Sequence, residues 1–186
     1  MGAPKALLTD SEGVPFILRV VQTLAAAGLE DVLLVTGTHH DDIVDLISRR
    51  LDEPCVRIVR NPDPSRGQLS SLLCGLEAID EATTDAILMT LVDVPFTRVS
   101  TVRAVIEGWR RSRAPIVRPA IGAAHGHPVI FDKRLFDALR RAPLSEGAKS
   151  VVRAYAGEIV NVEVDDPGCL VDIDTPEDYR RYGETL

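Results

Sequence analysis

Short apolar runs alternate with amphipathic segments along almost the whole chain, and this alternation limits the possible folds more than any other feature. The runs typical of strands are 31–37, 56–61, 86–93, 114–120, 127–132 and 158–166. The segments typical of helices are 14–29, 41–51, 68–79, 99–111, 133–142, 147–155 and 175–182. Strands that alternate with helices form parallel βαβ units. The sequence therefore predicts an α/β fold with a mostly parallel sheet and helices on both faces.

The length and composition are those of a single globular domain, which we expect to span residues 1–186. The net charge of −7 argues against broad electrostatic binding to nucleic acid or to an anionic membrane. No apolar run is long enough to span a membrane, and the start MGAPKALLTDSEG lacks the apolar segment of a signal peptide. We therefore expect a cytoplasmic protein in which Cys55, Cys74 and Cys169 are reduced thiols.

A carboxylate follows the apolar run in the stretch AILMTLVDVPF, at residues 86–96. Asp93 stands at the end of this run, and Pro95, which has no N–H group, stops the strand from continuing. In open α/β sheets, ligands bind beyond the carboxyl ends of the strands, so Asp93 is a candidate binding residue. The alternative is an aspartate that only stabilises a turn.

A second acidic group occurs in the stretch CLVDIDTPEDY, at residues 169–179. Asp172 and Asp174 lie two positions apart, so an extended backbone places both on one face. Carboxylates from two distant parts of the chain suit Mg²⁺, which takes one or two carboxylates together with substrate phosphates. Thr175 begins a typical helix start, so the alternative for one of the two aspartates is a role in capping alone.

Two further loops contain groups suited to phosphates or bases. The stretch NPDPSRGQLSS, at residues 61–71, follows a strand and opens a helix whose free N–H groups can hold an anion; its alternative is a plain turn. His125 and His127 lie two positions apart, but no third ligand has a spacing that favours zinc, so we interpret their loop as facing a substrate. Lys5 by itself is typical of a solvated surface residue.

Seven stretches resemble, in sequence and in order, the MobA-like nucleotidyltransferases, and among these the molybdenum cofactor cytidylyltransferases. They are MGAPKALL, GVPFILRVVQTLAAAGL, VLLVTG, NPDPSRGQLSSLLCGL, LVDVP, HGHPVIF and DDPGCLVDIDTPEDY. The resemblance covers almost the whole chain and implies a Rossmann-like nucleotidyltransferase fold. It also implies that the phosphate of a molybdopterin-type cofactor attacks the α-phosphorus of CTP in the presence of Mg²⁺ and releases pyrophosphate. A molybdoenzyme or its chaperone is the protein partner that the resemblance suggests.

The resemblance also assigns roles to single residues. Asp93 matches the metal-binding aspartate of the family, and Asp174, with Asp172 as its substitute, matches the second acidic position. Lys5 matches the lysine that reaches the nucleotide phosphates, so Lys5 and Asp93 are the expected catalytic residues. The residues expected to line the base and ribose are Asn61, Gly67 and Ser71. The residues expected to face the acceptor are Gly126, His127 and Pro128.

The chain departs from the family pattern at its start. Relatives begin with a strand and a glycine-rich loop of the form LAAGxSxRMG, whereas this sequence begins at the MG of that pattern. We therefore expect the usual first strand and the triphosphate-binding loop to be missing from residues 1–186, and these residues not to be the whole natural unit. Because part of the base selection lies in that loop, the sequence leaves both CTP and GTP open.

Three functions remain open from the sequence. The first is a nucleotidyltransferase that acts on a pterin-type cofactor. The second is a related transferase with another acceptor, such as a sugar phosphate or a phospholactate-type acid, or a glycosyltransferase that uses the DID of residues 172–174 as its acidic pair. The third is a catalytically silent protein of the same fold that binds a nucleotide or a cofactor.

Overall fold

The computed structural model describes residues 4–50 and 56–183. Its strands are β1 (Val32–Thr36), β2 (Val56–Arg60), β3 (Ala86–Met89), β4 (Ile116–Ile121), β5 (Ala124–His125), β6 (Val129–Asp132) and β7 (Ile159–Glu163). Its α-helices are α1 (Phe16–Ala26), α2 (His40–Arg50), α3 (Gln68–Ala78), α4 (Val99–Ser112), α5 (Phe136–Arg141), α6 (Lys149–Ala154) and α7 (Pro176–Asp178). Each predicted strand and helix is present in the predicted order, and β5 is a short addition that the pattern did not reveal. The predicted helix end at Leu51, and Cys55, lie outside the described residues.

The strand β3 is shorter than the sequence predicted. The prediction ran over 86–93, but the strand ends at Met89, which is paired with Val129 of β6. The next partner along β6 would be Pro128, which has no N–H group with which to extend the ladder. Asp93 therefore lies in the loop beyond β3, and not at the last residue of the strand.

The strands form two sheets among the described residues. β1 and β2 are parallel, and the second sheet has the order β3-β6-β4-β5 with β7 parallel to β4. The α/β class is confirmed, and the two parallel ladders are the longest. Strict βαβ alternation fails at β6, which is antiparallel to β3 and β4. β6 follows β4 too closely for the crossover of a dozen or more residues that a parallel pair requires.

Helices cover both faces of the strands, as predicted. On one face, α1, α2 and α4 pack a core that includes Val32 and Leu34 of β1 and contacts Leu88 of β3. On the other face, α3, α5 and α6 pack a core that contacts Ile87 and Met89 of β3. The side chains of β3 alternate between the two cores because successive residues of a strand point to opposite faces.

The sheet is interrupted between β1 and β3. Leu88 and Val92 pack against the same core as Val32 and Leu34 of β1. Among the described residues, however, β1 pairs with β2 alone and β3 pairs with β6 alone. Every residue of β3 is only half-buried. Two apolar strands therefore lie beside one core without pairing with each other.

None of the helices in residues 4–50 and 56–183 has both the length and the apolar character needed to cross a bilayer.

Cys169 is buried, and this burial raises the pKa of its thiol to about 11, whereas Cys74 is half-buried.

Candidate active site

Two acidic loops meet at one point of the structure. Asp93 lies in the loop after β3, and Asp172 and Asp174 lie just before α7. The main-chain N–H of Ile173 donates a hydrogen bond of 2.8 Å to the carbonyl oxygen of Asp93. Ile173 is fully buried, whereas Asp172 and Asp174 on either side of it are exposed. The two aspartates therefore share an outward face, as their spacing predicted.

Lys5 joins these two loops through its ammonium group. It lies in a single 3₁₀ turn, Lys5–Leu7, in which Ala6 is buried. Its Nζ donates a hydrogen bond to Oδ1 of Asp174 and lies 3.6 Å from Oδ2 of Asp93. Partial burial by itself lowers the pKa of Lys5, but the hydrogen bond to Asp174 and the charge of Asp93 outweigh it, so this pKa lies above its ordinary value. Lys5 is therefore held as a cation between two carboxylates.

Lys5, Asp93, Asp172 and Asp174, here called the acidic group, together carry more negative charge than positive charge. Although the Asp172 side chain is exposed, neighbouring atoms remove part of its hydration and raise its pKa, and the carboxylates of Asp93 and Asp174 raise it further. Oδ1 of Asp93 is buried and has no hydrogen-bond partner in the part of the chain that the structure describes. An unpaired buried carboxylate oxygen is costly, and a bound cation would satisfy it. Three carboxylates without a thiol are a donor set that suits a hard cation such as Mg²⁺.

The carboxylates do not surround a single point. Across residues 4–50 and 56–183, no group of three or more His, Cys, Asp or Glu side chains is placed to enclose a metal ion. The ammonium of Lys5 instead lies between Asp93 and Asp174. The side chains suited to a divalent cation are therefore Asp93 and Asp174, with Asp172 beside them.

His127 approaches the acidic group from a third loop, which precedes β6. Its ring lies beside the carbonyl of Met89 at the end of β3 and near the charges of Asp93 and Asp172. Burial lowers the pKa of His127 below its ordinary value, although these contacts oppose the shift. Its Nδ1 is buried and has no partner among the described residues. His127 is therefore a neutral ring near pH 7, beside the acidic loops.

Gly126 permits the His127 loop to approach residues 167–170 closely. A Cβ atom on Gly126 would lie 1.9 Å from the carbonyl oxygen of Cys169, a distance that no side chain can occupy. The N–H of His127 donates to the same oxygen at 2.9 Å, and the next residue, Pro128, is buried. His125 is exposed in β5, so the two histidines have different surroundings.

Asp166 holds the loop that carries Cys169 in place, a role that the sequence analysis did not predict. Its buried carboxylate accepts hydrogen bonds from the N–H of Arg98 at 2.8 Å, from Oγ1 of Thr101 at 2.6 Å and from the N–H of Gly168 at 3.1 Å. These bonds tie the loop to the start of α4. The stretch DDPG, with an aspartate before Pro and Gly, is a turn signal that could have indicated this role.

The loop 61–71 is organised around Asn61, which is 3% exposed. Nδ2 of Asn61 donates to Oγ of Ser70 at 2.8 Å and to Oγ of Ser71 at 3.0 Å. Its Oδ1 accepts from the N–H of Asp63 at 3.0 Å. The side chain of Asn61 is therefore engaged in ordering the loop.

Gly67 and Ser71 lie at the start of α3. Gly67 has a φ of +88°, which favours glycine because a Cβ atom strains this conformation. The N–H of Asn61 fixes the loop to β1 by donating to the carbonyl of Thr36 at 2.7 Å. The described hydrogen bonds of this loop run within it and to β1, and not to the acidic group. The structure therefore brings Lys5, His127 and the acidic residues together, while the loop 61–71 has no hydrogen bond to them among the described residues.

Comparison with known proteins reveals relatives over most of the chain. The chain is 25% identical over 158 residues to the molybdenum cofactor cytidylyltransferase of Escherichia coli (strain K12). This alignment covers 82% of this chain and 76% of that protein. It is 30% identical over 164 residues to the purine catabolism protein PucB of Bacillus subtilis (strain 168). This second alignment covers 86% of this chain and 78% of PucB.

A solved structure and a family model agree with these matches. The crystal structure of Rv0371c from Mycobacterium tuberculosis H37Rv in complex with manganese superposes with a TM-score of 0.78 and 26% identity, over 99% of this chain and 94% of that one. The model of the MobA-like NTP transferase domain matches residues 1–159. This match spans well over half of the sequence, and the chain therefore belongs to the MobA-like NTP transferase family.

Proposed function

We propose that this nucleotidyltransferase moves CMP from CTP onto the phosphate of a molybdopterin-type cofactor, with Mg²⁺ and with release of pyrophosphate. The observation that supports the proposal most strongly is the convergence of Lys5, Asp93 and Asp174 from three distant parts of the chain. An ammonium and two carboxylates at loop ends suit metal-assisted transfer between phosphates. The choice of donor and acceptor follows the Escherichia coli relative, which is named a molybdenum cofactor cytidylyltransferase.

The proposed reaction exchanges one phosphoanhydride bond for another. An oxygen of the acceptor phosphate forms a bond to the α-phosphorus of the nucleotide. The bond from the α-phosphorus to the oxygen bridging to the β-phosphate breaks, and its electron pair leaves with pyrophosphate. Because the acceptor is already an anion, no side chain has to remove a proton from it. The protein has to position the two phosphates in line and offset their charge.

The acidic loops and Lys5 supply the proposed charge compensation. Asp93 and Asp174 would hold Mg²⁺, which neutralises charge on the phosphates when bound. Lys5 has a flexible four-carbon side chain, so its ammonium can turn towards the phosphates and stabilise the charge that develops on the leaving pyrophosphate. The manganese complex of the Mycobacterium tuberculosis protein, 26% identical to this chain, supports a divalent cation for this kind of protein.

The remaining predicted residues are proposed to position the two substrates. Gly67 and Ser71 lie at the start of α3, where unpaired N–H groups and a hydroxyl can meet the base and ribose. Asn61 acts through Ser71, because its buried amide fixes that hydroxyl. His127, with Gly126 and Pro128, faces the acceptor, because its ring lies beside the acidic loops near Asp93 and Asp172.

A related transferase with another acceptor is the second candidate. PucB shares the higher identity of the two relatives, 30% against 25%, and is named for purine catabolism. The group of Lys5, Asp93 and Asp174 would serve any phosphate acceptor, because its charges act on the nucleotide phosphates. The acceptor therefore has to be identified by assay.

The test measures pyrophosphate release by purified residues 1–186 with Mg²⁺, molybdopterin and either CTP or GTP. We expect release with CTP only when molybdopterin is present, together with transfer of a labelled α-phosphate to the pterin. Asp93→Asn should abolish the release. Asp85→Asn, at an exposed carboxylate paired with Lys133, should not change it.

The other outcomes separate the alternatives. Turnover with a different acceptor, but not with molybdopterin, would support the second candidate. Nucleotide binding without turnover with any acceptor would support a catalytically silent protein and overturn the proposal.

A further inference from the structure

A lysine ammonium occupies the space between the two carboxylates best suited to a divalent cation. Nζ of Lys5 is hydrogen-bonded to Oδ1 of Asp174 and lies 3.6 Å from Oδ2 of Asp93. Mg²⁺ requires its oxygen ligands at about 2.0–2.1 Å, so both carboxylates would have to turn towards the metal. An ammonium and a divalent cation at the same two carboxylates repel each other, because both are positively charged and lie only a few ångströms apart.

The charges around Lys5 show why an exchange of cations is favourable. One ammonium is paired with the two carboxylates of Asp93 and Asp174, and the carboxylate of Asp172 lies next to them in the same loop as Asp174. A single positive charge leaves this group negative, and Oδ1 of Asp93 remains without a partner in the described residues. A divalent cation would offset more of that charge than Lys5 does.

We infer that Lys5 competes with the divalent cation for Asp93 and Asp174 in the nucleotide-free protein, and that a bound triphosphate relieves this competition by giving the ammonium a new anionic partner. The inference rests on the proposed function, since it takes these aspartates as the metal ligands. The Lys5 side chain is 34% exposed, and its long stem allows the ammonium to move while the buried Ala6 keeps the turn in place. Metal and nucleotide therefore bind with positive coupling.

The experiment uses Mn²⁺ as the probe and measures its binding to residues 1–186 by electron paramagnetic resonance of free Mn²⁺, without turnover. Lys5→Met keeps the length of the side chain and removes its charge. We expect Lys5→Met to bind Mn²⁺ at least about tenfold more tightly than the wild type in the absence of nucleotide. Lys133→Met is the matched control, because Lys133 pairs with Asp85 at 2.9 Å on the exposed surface, and its Mn²⁺ affinity should equal that of the wild type.

A second titration includes a CTP analogue with a methylene group in place of the oxygen between the α- and β-phosphates. The analogue should tighten Mn²⁺ binding to the wild type by a larger factor than to Lys5→Met, because only the wild type has a competing ammonium to remove. Unchanged or weaker Mn²⁺ binding by nucleotide-free Lys5→Met, in a variant that retains the wild-type melting temperature, would overturn the inference.

Two more variants separate this inference from the proposed function. Asp93→Asn and Asp174→Asn should each weaken Mn²⁺ binding. If they do so while Lys5→Met binds like the wild type, only the competition is wrong. If neither variant changes Mn²⁺ binding, the metal ligands are misassigned and the proposed function fails with them.

Discussion

The main-chain N–H of Ile173 donates a 2.8 Å hydrogen bond to the carbonyl oxygen of Asp93, so the two acidic loops are joined by their backbones. Neither carboxylate takes part in this bond. The side chains of Asp93 and Asp174 are therefore left for cations, and substitution of either carboxylate leaves the connection between the loops in place.

This separation of roles predicts that Asp93→Ala abolishes metal-dependent turnover and preserves the fold. The carboxylate is 25% exposed, and its buried oxygen has no partner among residues 4–50 and 56–183, so its loss should change the free energy of unfolding by less than about 1 kcal/mol. Asp174→Ala should also impair turnover and leave the cap of α7 intact, because Thr175 and Asp178 form that cap. Pyrophosphate release and urea denaturation check both variants. Normal metal-dependent activity in both would show that the site is misassigned.

The close approach at Gly126 predicts a selective effect of an added methyl group. In Gly126→Ala, the new Cβ would meet the carbonyl oxygen of Cys169 at 1.9 Å, so one of the two loops must move. We expect a loss of about 1–3 kcal/mol in the free energy of unfolding and a raised KM for the acceptor. Gly157→Ala is the matched control, since no atom of the described residues lies within 4 Å of the added atom. Equal stability of the two variants would contradict the prediction.

His127 is expected to contribute to acceptor binding and not to metal binding. His127→Ala should raise the KM for the acceptor more than the KM for the nucleotide, because the ring lies beside the acidic loops near Asp93 and Asp172. Steady-state kinetics with each substrate varied in turn provide the measurement. A stoichiometric zinc content in the purified protein, lost in the variant, would show that the histidine is a metal ligand.

Asp10 should make stability depend on pH through the segment that carries Lys5. Its fully buried carboxylate accepts hydrogen bonds from the N–H groups of Glu12 and Val14 at 2.9 Å, and from Arg19. Burial alone raises the pKa of Asp10, but these hydrogen bonds and the charge of Arg19 outweigh it, so this pKa lies below its ordinary value. The stabilisation is therefore present above the unfolded pKa of about 3.9 and is lost as the pH falls through the lower folded value.

Urea denaturation at pH 7 and at pH 3 tests this role. Asp10→Asn should cost roughly 1–3 kcal/mol at pH 7 and less at pH 3, where the wild type has lost part of the same stabilisation. The control is Asp31→Asn, at an exposed aspartate paired with Arg57, and it should change stability by less than about 1 kcal/mol. A variant at Asp10 as stable as the wild type at pH 7 would disprove the assignment.

We propose that a further strand can pair between β1 and β3, which do not pair with each other among the described residues. A chimera that places the family's first strand and loop, ending in LAAGxSxR, before Met1 and Gly2 should have a higher melting temperature and bind nucleotide at least about tenfold more tightly. About six newly buried apolar residues could contribute on the order of 10 kcal/mol, and the loop after them would add N–H groups for the triphosphate. The control segment has prolines at alternate strand positions, which prevents pairing. If the two segments change the melting temperature and the nucleotide affinity equally, no added strand pairs between β1 and β3.

The helices and most of the strands followed from local pattern. The apolar residues of α1, such as Phe16, Val20 and Leu24, are buried as their spacing predicted, because the repeat of a helix is set by its own backbone. The outward face shared by Asp172 and Asp174 follows in the same way from the two-residue repeat of an extended segment. The family resemblance, carried by several short motifs in order, was confirmed by the match over residues 1–159.

Other features depend on partners that are distant in the sequence, and only the tertiary structure decided them. β3 stops at Met89 because its neighbour begins after Pro128, and β6 runs antiparallel because its connection to β4 is short. Lys5, alone in the sequence, resembles an ordinary surface lysine, yet the fold places its ammonium between Asp93 and Asp174. A local pattern specifies which face of an element is apolar, but the meeting of charges from three loops is specified only when the whole core has packed.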